Sequence, residues 1–468
     1  MPVANPTLPK LAPPSLAFRF AFFRFQPQIL AGLTSGRTPI RSSRFPTLAC
    51  PLSFLISYRF AAMRTASIIA TVAAGVALAR PGMDIKKLIA DAQLQIRQVG
   101  GGGPSTELIG DLVHLRERQL TATGAAIRDI LIGEASGQDV DTFYDESESA
   151  RRGSEECESD DCCIWKHIAD DLARQMVGTA GRCNSVARGA IRLGFHDAGA
   201  WSKSTGGTGA DGSIILANEC KTRSDNKGLE DICDMTATWF AKYKKFGISM
   251  ADLIQLSANV ATVSCPLGPR VRTFVGRKDS STPAVKNLIP DPSDSSAKLF
   301  KLFGEKSFTP AGLVALLGAH STSQQRFVDP SRAGSPQDST PGTWDIAFYQ
   351  QTLNPNAPRA VFKFQSDINV SLDPQTNEVW RAFAAGKRGQ AMWNEAYASE
   401  YVRMSLLGVN NINDLTECTK VLPPVRPAFE QPDQDLLDKV MGSILNSDLV
   451  KQALEKGDKI PPAALLRP

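Results

Sequence analysis

The chain has 468 residues, of which 42% are apolar and 21% are charged. This composition excludes a chain that is disordered throughout, and a polytopic membrane protein is excluded because no apolar run reaches about 18 residues. The formal charge of +4 is unevenly distributed: residues 1–83 carry nine basic and no acidic residues, which leaves about −5 for the remainder and argues against nucleic acid as a partner.

The N-terminal region contains a segment typical of a secretory signal peptide. Residues 63–79 read MRTASIIATVAAGVALA, in which a basic residue, a 14-residue apolar run and a small-x-small cleavage site follow one another. The run is too short to span a bilayer. Because signal peptides begin at the initiator methionine, we interpret residues 1–62 as the artefact of an incorrect gene model, with translation starting at Met63. An organelle transit peptide is the alternative, since residues 1–62 are rich in arginine and free of acidic residues.

Cysteine usage also indicates export. Cys50 lies in the leader, and the other eight cysteines follow the signal peptide. An even number of cysteines behind a signal peptide predicts four disulfides, although many pairings are possible. The alternative is a cytosolic protein with free cysteines in its core. We expect a secreted, extracellular protein with no membrane contact in its mature form.

Residues 80–152 are predicted to form a helical segment separate from the rest. MDIKKLIADAQLQI and STELIGDLVHLRERQL have helical spacing, and an acidic stretch then leads to Arg151 and Arg152, a dibasic pair suited to a processing protease. The segment is therefore either a pro-segment removed on export or an ordered helical extension with a flexible tether. In both cases the main domain, with its C-terminal tail, spans residues 153–468.

The main domain is predicted to be mostly α-helical. Apolar residues have helical spacing in IWKHIADDLARQMV, ADLIQLSANVATV and PAGLVALLGAH. Helix starts are marked by Ser249, with Asp252 three residues later, and by Thr309 followed by Pro310. Strand patterns are sparse and short, VRTFVG and VFKFQ being the best.

Two of the four histidines lie in informative surroundings. The first is in AIRLGFHD, which places Arg192 four residues before His196, so that on one helix both side chains share a face. A neighbouring cation lowers the pKa of an imidazole, which keeps it neutral and able to act as a base. Taken alone, such a pair is more often a solvated surface pair.

The second histidine, His320, ends the apolar helix LVALLGAH. A histidine there is usually a satisfied core residue, but oxygen-rich loops follow both histidines: Asp197 and GADGS after His196, and Ser321 and DSTPGTWD after His320. Carboxylates, hydroxyls and carbonyls are the ligands that calcium prefers, although the same residues are common in turns. A cation behind each histidine would fix helix ends that otherwise fray.

The motifs RLGFHDAG, GGTGADGSI, SCPLGP, LVALLGAHS, DSTPGTWD and FQSD, in this order, resemble those of the secreted fungal class II haem peroxidases, the lignin and manganese peroxidase family. The resemblance covers residues 157–423. It implies two helical subdomains that sandwich haem b, a few short strands and two bound Ca²⁺ ions. It also implies that the protein reduces hydrogen peroxide and oxidises phenolic or other small aromatic donors at the haem edge through a ferryl intermediate. We expect a monomer.

The resemblance assigns roles on both sides of the haem. His196 is the distal base, Arg192 the distal arginine and Phe195 the distal aromatic residue. A neutral imidazole would take a proton from peroxide and return it to the leaving oxygen, while the guanidinium stabilises developing negative charge. Asn226 matches the residue that holds the other nitrogen of the distal histidine, with Glu219 as a weaker candidate for the next group in that relay.

On the proximal side, the resemblance makes His320 the axial ligand of the haem iron. Asp367 matches the carboxylate that accepts the N–H of this ligand and makes the imidazole more basic. The residue before Asp338, usually phenylalanine in the family, is Gln337.

The resemblance further implies ligand sets and disulfides. The distal calcium ligands are Asp197, Gly209, Asp211 and Ser213, and the proximal ones are Ser321, Asp338, Thr340, Thr343 and Asp345. Family pairing implies the disulfides Cys157–Cys163, Cys162–Cys418 and Cys183–Cys265. The chain has no counterpart of the family's C-terminal bridge and offers Cys220 and Cys233 instead, which we predict to pair.

Departures from the family predict the subtype. Manganese oxidation in the family uses carboxylates before the distal arginine and after the proximal histidine, whereas Asn184, Arg188 and Ser323 occupy these stretches here. Lignin-type oxidation uses a surface tryptophan five residues before the proximal histidine, and that residue is Ala315. The sequence therefore predicts a generic peroxidase for small phenols.

Two other interpretations stay open at this point. The protein is a ligninolytic-type peroxidase if another surface aromatic residue, such as Trp201, relays electrons. It is a catalytically silent haem- and calcium-binding secreted protein if the site residues have outlived the activity, although intact Arg192, His196, His320 and Asp367 argue against this.

Overall fold

The structure, a computed structural model, describes residues 85–97, 103–144 and 151–465. By its contacts the chain divides into two units, Met1–Thr71 and Val72–Pro468, and every described residue belongs to the second unit. The presumed gene-model artefact, the signal peptide and Cys50 lie outside the described residues.

Helices dominate the described residues, which confirms the mostly α fold class. The α-helices, in chain order, are α1 (Ile85–Ile96), α2 (Ala122–Leu131), α3 (Glu155–Glu158), α4 (Cys163–Ala173), α5 (Ser185–Ala198), α6 (Ser213–Leu216), α7 (Glu219–Thr222), α8 (Glu230–Tyr243), α9 (Met250–Ser264), α10 (Ser296–Gly304), α11 (Pro310–Leu317), α12 (Ala347–Leu353), α13 (Gln365–Leu372), α14 (Asn377–Phe383), α15 (Gly386–Met404), α16 (Gln434–Met441) and α17 (Asp448–Lys456). Short 3₁₀ helices cover Gly110–Val113, Glu117–Gln119, Ser224–Asn226, Lys244–Phe246, Gly318–Thr322, Pro330–Arg332, Ile412–Asp414, Thr419–Val421 and Pro462–Leu465.

Helix α9 is the central support of the half that carries His196. Every residue of α9 is buried, and its first turn is capped by the Ser249 side chain, which accepts a hydrogen bond from Asp252 N. Helix α5 packs along α9. The approach is close at Gly194, where a Cβ atom would lie 2.8 Å from the Ala258 Cβ. His196 is therefore carried on a helix that is packed against a fully buried neighbour.

Helix α11 delivers the second histidine. Thr309 caps it by accepting from Gly312 N, and Pro310 occupies its first turn, as the sequence predicts. The chain then tightens into the 3₁₀ helix Gly318–Thr322, which contains His320. A Cβ atom at Gly318 would overlap the Trp393 indole, so a glycine is required for α15 to lie this close.

Strands are minimal, with one of the two expected segments present. β1 (Phe274–Val275), within VRTFVG, pairs antiparallel with β2 (Thr416–Glu417). The strand expected in VFKFQ is wrong: residues 361–364 have no regular structure, and Gln365 begins α13. The Phe362 N–H donates to Pro336 O at 2.8 Å, and no neighbouring strand lies alongside in the described part of the chain.

The N-terminal extension is helical only in part. Helix α1 confirms the first helical pattern, but the helix expected over residues 105–120 is wrong, because only two 3₁₀ turns occur there and α2 follows. The carbonyls of Ser105 and Glu107 accept from the Arg403 guanidinium at 2.8 and 2.6 Å rather than from helical N–H groups. The helical spacing of residues 105–120 is therefore outweighed by hydrogen bonds to Arg403, which is distant in sequence.

Two buried arginines join this extension to the rest. Arg403 is 2% exposed and also donates to Leu131 O at 2.7 Å, in α2. Arg270 is fully buried and donates to Asp139 O and Thr142 O, each at 2.7 Å. Residues 103–144 thus accept hydrogen bonds from both of these buried guanidinium groups, three from Arg403 and two from Arg270.

The C-terminal tail forms a second, smaller core. Helices α16 and α17 pack around Leu437, Met441 and Leu454, with Ala360 contributed by the main domain. The tail is anchored by a buried ion pair in which Arg182 donates to both oxygens of Asp433, at 2.9 and 3.0 Å.

Four disulfides are present: Cys157–Cys163, Cys162–Cys418, Cys183–Cys265 and Cys220–Cys233. These are the same four pairs that the sequence analysis named. Within the described ranges, no single helix has the length and apolar composition needed to cross a bilayer, and only the sharply bent pair Glu230–Phe246 and Met250–Ser264 meets that criterion jointly.

Candidate active site

Helix α5 positions Arg192 and His196 on one face. Its N-terminus is fixed by Asn184, whose Oδ1 accepts from Val186 N and Ala187 N. The four-residue spacing then brings Arg192 Nε to 3.3 Å from His196 Nε2. Arg192 Nη2 also donates to Lys227 O at 3.0 Å, which holds the guanidinium beside the imidazole.

The other nitrogen of His196 is held by Asn226. His196 Nδ1 lies 2.9 Å from Asn226 Oδ1, and Asn226 Nδ2 donates to Glu219 O at 3.2 Å. Because the amide nitrogen of Asn226 is committed to a carbonyl, its oxygen must face the imidazole, so Nδ1 carries the proton. Nε2 of His196 is therefore unprotonated, and its lone pair faces Arg192.

Glu219 takes part through its main chain only. Its carboxylate pairs with Arg223 at 2.7 Å and accepts from Ala284 N at 2.9 Å, away from the imidazole. The relay expected from His196 through Asn226 to Glu219 thus ends at the backbone carbonyl of Glu219. The sequence could not indicate this contact, because every residue has such a carbonyl.

Electrostatics keep His196 neutral. Burial and, after it, the charge of Arg192 lower the pKa of His196 to about 3, although the contact with Asn226 acts in the opposite direction. At any pH above this value the imidazole is a base ready to accept a proton. Phe195 lies edge-on to His196, with ring centroids 5.6 Å apart, and stacks on Phe303 at 6.2 Å.

His320 has one anchored and one free nitrogen. Its Nδ1 lies 3.1 Å from Oδ2 of Asp367, and Asp367 is 1% exposed. Its Nε2 has no partner among the described residues, and the side chain remains 31% exposed. The Phe348 and Phe364 rings stand edge-on to the imidazole, with centroids at 5.6 Å in each case.

This arrangement fits a histidine that would hold the iron of a haem. Histidine ligands to metals donate their second N–H to a carboxylate, which fixes the ring and makes the coordinating nitrogen more basic. His320, Asp367 and the two flanking rings supply that geometry. The two phenylalanines were not singled out from the sequence, although Phe364 directly precedes the QSD that contains Asp367.

The residues of the expected distal calcium site are brought together. Asp197 and Asp211 are both buried, and Asp197 accepts from Gly212 N at 3.1 Å. Ser213 N donates to Asp211 Oδ1 at 2.9 Å, and Asp211 N donates to Gly209 O at 2.9 Å. Burial and then the proximity of Asp211 raise the pKa of Asp197 well above its ordinary value. A donor set of two buried carboxylates, a hydroxyl and a carbonyl fits Ca²⁺.

The expected proximal calcium residues also converge. Ser321 Oγ donates to Thr343 O at 3.0 Å and accepts from Asp345 N at 3.2 Å, while Thr340 Oγ1 lies 3.2 Å from Asp338 Oδ1. Oδ2 of Asp338 is buried without a hydrogen-bond partner in the described part of the chain. An orphaned carboxylate oxygen among hydroxyls and a second carboxylate is what a bound divalent cation would satisfy.

The stretches that carry manganese ligands in the family have other contacts here. Arg188 donates to Leu454 O and Glu455 O, at 3.5 and 3.3 Å, and so attaches the last turn of α17 to α5. Burial lowers the pKa of Arg188 to about 10, so it remains a cation at neutral pH. Ser323 Oγ donates to Gln337 Oε1. The position that would need a carboxylate to bind a divalent metal is therefore occupied by the Arg188 cation, which is covered by the end of α17.

The two positions considered for surface electron relay, Ala315 and Trp201, differ in their exposure to solvent. Ala315 is fully buried, and its carbonyl accepts from Trp393 Nε1 at 3.0 Å. Trp201 is half-buried, and its carbonyl accepts from the buried Lys306 Nζ at 2.7 Å.

Comparison with known proteins identifies relatives that are named ligninase, peroxidase or manganese peroxidase. Residues 170–386 match the family model described as peroxidase. The chain is 32% identical to ligninase C of Trametes versicolor over 288 residues, which is 56% of this chain and 75% of that relative. It is 30% identical to a peroxidase of Arthromyces ramosus (58% of this chain, 78% of the relative) and to manganese peroxidase H4 of Phanerodontia chrysosporium (58% and 76%).

Proposed function

This chain belongs to the peroxidase family, and on that premise we propose that it reduces hydrogen peroxide with His196 and Arg192 as its proton-transferring and charge-stabilising residues. It is a haem peroxidase, an oxidoreductase that uses peroxide to oxidise aromatic or other donors. The single observation that carries the proposed roles is the orientation of His196, with Nδ1 held by Asn226 and Nε2 left as a base beside Arg192.

The haem, b-type by our proposal, would be held by His320 and supplies the iron at which peroxide is reduced. His196 Nε2 takes a proton from one peroxide oxygen and passes it to the other, which leaves as water. The Arg192 guanidinium stabilises the negative charge that develops on the departing oxygen. Phe195 forms an apolar wall beside the base, and Asn226 keeps its tautomer fixed.

On the proximal side, Asp367 holds the proton of His320 Nδ1. The acceptor makes Nε2 a stronger electron donor to the metal, which favours the oxidised states that peroxide reduction requires. The Oε1 atom of Gln337 accepts a hydrogen bond from the hydroxyl of Ser323, three residues after His320.

We propose small phenolic and related aromatic compounds as the electron donors. Relatives include proteins named ligninase and manganese peroxidase. The manganese assignment is disfavoured here by Arg188 and its contacts with the last turn of α17, and relay through the lignin-type position is disfavoured by the buried Ala315. Replacing Trp201 by Phe should leave phenol turnover intact. A selective loss of activity on bulky donors would revive a ligninolytic role through another surface aromatic residue.

The test of the catalytic roles is rapid mixing of the haem-loaded, calcium-replete protein with peroxide, followed by Soret absorbance. The native protein should react rapidly, and His196→Leu should react about 10²–10⁴-fold more slowly. His167→Leu, on α4, is the control, because the His167 imidazole lies within 4.8 Å of the Cys157 and Cys163 sulfurs and makes none of the contacts of His196. No reaction in the native protein would favour the alternative of a silent haem- and calcium-binding protein.

We further propose two bound Ca²⁺ ions, secretion and a monomeric state. The distal site comprises Asp197, Gly209, Asp211 and Ser213, and the proximal site Ser321, Asp338, Thr340, Thr343 and Asp345. Secretion is supported by four disulfides, which persist in oxidising compartments.

We also propose that residues 103–144 are a permanent part of the protein rather than a pro-segment that is lost. The proposal is supported by the buried guanidinium groups of Arg403 and Arg270. Carbonyls of this segment accept three hydrogen bonds from Arg403 and two from Arg270, which also donates to carbonyls within residues 419–423. Processing at Arg151–Arg152 would then leave two chains that stay together, because separation would remove five hydrogen bonds from two buried cations.

A further inference from the structure

An exposed apolar pair lies next to the distal arginine. Phe327 is 47% exposed and Val328 is 51% exposed. A Cβ atom on Gly228 would lie 2.5 Å from Phe327 Cε2 and 3.2 Å from Arg192 Nη1, so the ring and the guanidinium meet over this glycine. The φ of Gly228 is +88°, in the region that glycine adopts without strain. An aromatic surface is therefore held directly beside a residue of the proposed catalytic pair.

The loop that carries this pair is braced. The buried Gln325 side chain donates to Asp329 O at 3.0 Å and Arg332 O at 2.6 Å, and accepts from Asp329 N at 3.1 Å. Its backbone exchanges further hydrogen bonds with Gly334 and Ser335. The loop is therefore ordered by its own hydrogen bonds, and this ordered conformation leaves Phe327 and Val328 exposed.

A lysine charge completes the surface. Lys227 Nζ lies 4.7 Å from the centroid of the Phe327 ring. In the described part of the chain no carboxylate lies within ion-pair distance of it, whereas Arg326 is paired with Glu455. Glu230, an acid close by in sequence, accepts from Gly228 N at 2.7 Å. The surface thus offers one ring-sized apolar area and one positive charge without an acidic partner.

We propose that Phe327, Val328 and Lys227 form a docking surface for phenolic acids, that is, phenols that carry a deprotonated carboxylate. The ring of the donor packs against Phe327 and Val328, and its carboxylate pairs with Lys227. This places the phenol beside Arg192. The proposal rests on the proposed oxidation of phenols and adds the charge of the preferred substrate. Binding requires no covalent step.

The first experiment compares 4-hydroxycinnamate with guaiacol, an uncharged phenol. For Lys227→Gln, KM for 4-hydroxycinnamate should rise about two- to five-fold relative to KM for guaiacol, with kcat for 4-hydroxycinnamate unchanged. Lys227→Arg should restore the native ratio, and added salt should reduce the native preference. Lys245→Gln is the matched control, because Lys245 lies over the Phe246 ring in a similar pair that includes neither Phe327 nor Arg192. An unchanged KM ratio in Lys227→Gln would overturn the proposal.

The second experiment separates this proposal from the proposed function. Benzoate, which is not a phenol, is titrated into the ferric protein without peroxide, and its Kd is measured by NMR line broadening. Lys227→Gln and Phe327→Ala should each weaken binding, whereas Lys245→Gln should not. Failure of the native protein to oxidise either phenol would contradict the proposed function and leave the benzoate result to decide the docking surface. Equal benzoate binding by native protein and Lys227→Gln would overturn the docking surface alone.

Discussion

His196 Nδ1 lies 2.9 Å from Asn226 Oδ1, and the amide nitrogen of that asparagine is committed to a backbone carbonyl. The proton of His196 is thereby fixed on the nitrogen that faces away from Arg192. A single amide orients the base and selects its tautomer, and it does so without adding a charge to the site.

Asn226→Val should remove this control. The imidazole would be free to rotate and to change tautomer, so we expect the rate of reaction with peroxide to fall about 10- to 100-fold. Stopped-flow absorbance measures this rate. Asp225→Asn, at a half-buried neighbour, should react at the native rate, and equal rates for Asn226→Val and native protein would contradict the role of the amide.

Asn226→Asp tests the same contact by charge. A carboxylate at Nδ1 stabilises the imidazolium and raises the pKa of His196. Since the neutral form is the base, the rate at pH 5 should fall relative to the rate at pH 8, whereas Asn226→Val should show no such shift. A pH profile parallel to the native one would contradict the assigned contact.

The pH dependence of the native protein follows from its buried histidine. The pKa of His196 is lowered to about 3, so the rate with peroxide should stay flat from pH 7 down to about pH 4 and decline only below it. Unfolded histidine titrates near pH 6.5, so the unfolded chain binds this proton first and stability is lost as the pH falls from about 6.5 towards 3. Thermal melts of native protein and His196→Leu check this contribution, which the variant should lack.

Much of the site follows from local sequence. The RLGFHD motif places Arg192 and His196 on one helix face, and the apolar run before His320 with its Thr309–Pro310 start predicts α11; both are short-range consequences of helical geometry. The contacts of Arg188 were not predictable, because they join residues 266 and 267 positions apart. The helix expected over residues 105–120 failed for the same reason, since its carbonyls serve Arg403.

Asp367→Asn should alter the proximal ligand. An amide oxygen is a weaker acceptor for the N–H of His320 than a carboxylate, so Nε2 becomes less basic and the reduction potential of the bound haem becomes more positive. Spectroelectrochemical titration measures the shift. Asp373→Asn, just beyond the end of α13, contacts Ser296 and not His320, and should leave the potential unchanged. Equal potentials in Asp367→Asn and native protein would contradict the assigned contact.

Asp338→Asn should remove one calcium ion. The orphaned Oδ2 is replaced by a donor nitrogen that repels a cation, so the bound calcium should fall from two equivalents to one by elemental analysis, and the melting temperature should fall. Asp435→Asn, an exposed acid on α16, is the control. Two retained equivalents in Asp338→Asn would exclude this residue as a ligand.

Arg403→Met should destabilise the whole domain. Three carbonyls, of Ser105, Glu107 and the buried Leu131, lose their donor, and we expect a loss of about 3 kcal/mol or more in the free energy of unfolding. Urea titration measures it, with Arg381→Met on α14 as an exposed control. A loss below about 1 kcal/mol would show that the carbonyls find other donors.

Limited cleavage at Arg151–Arg152 tests the extension directly. Residues 103–144 should co-elute with the remainder in size-exclusion chromatography and separate only in denaturant. Arg151→Ala/Arg152→Ala is the uncleavable control. Separation under native conditions would support a releasable pro-segment instead.

The hydrogen bonds between Arg403 and the N-terminal extension also have a consequence for biogenesis. Ser105 leaves the ribosome 298 residues before the arginine that binds it. At about 5–20 residues per second, the extension spends roughly 15–60 s without its partner. During that interval its apolar residues, such as Ile127 and Leu131, are available to chaperones and to the export machinery. The closing of the N-terminal segment onto helix α15 is therefore a late event, and a truncated translation product that stops before residue 403 would lack the donor that these carbonyls require.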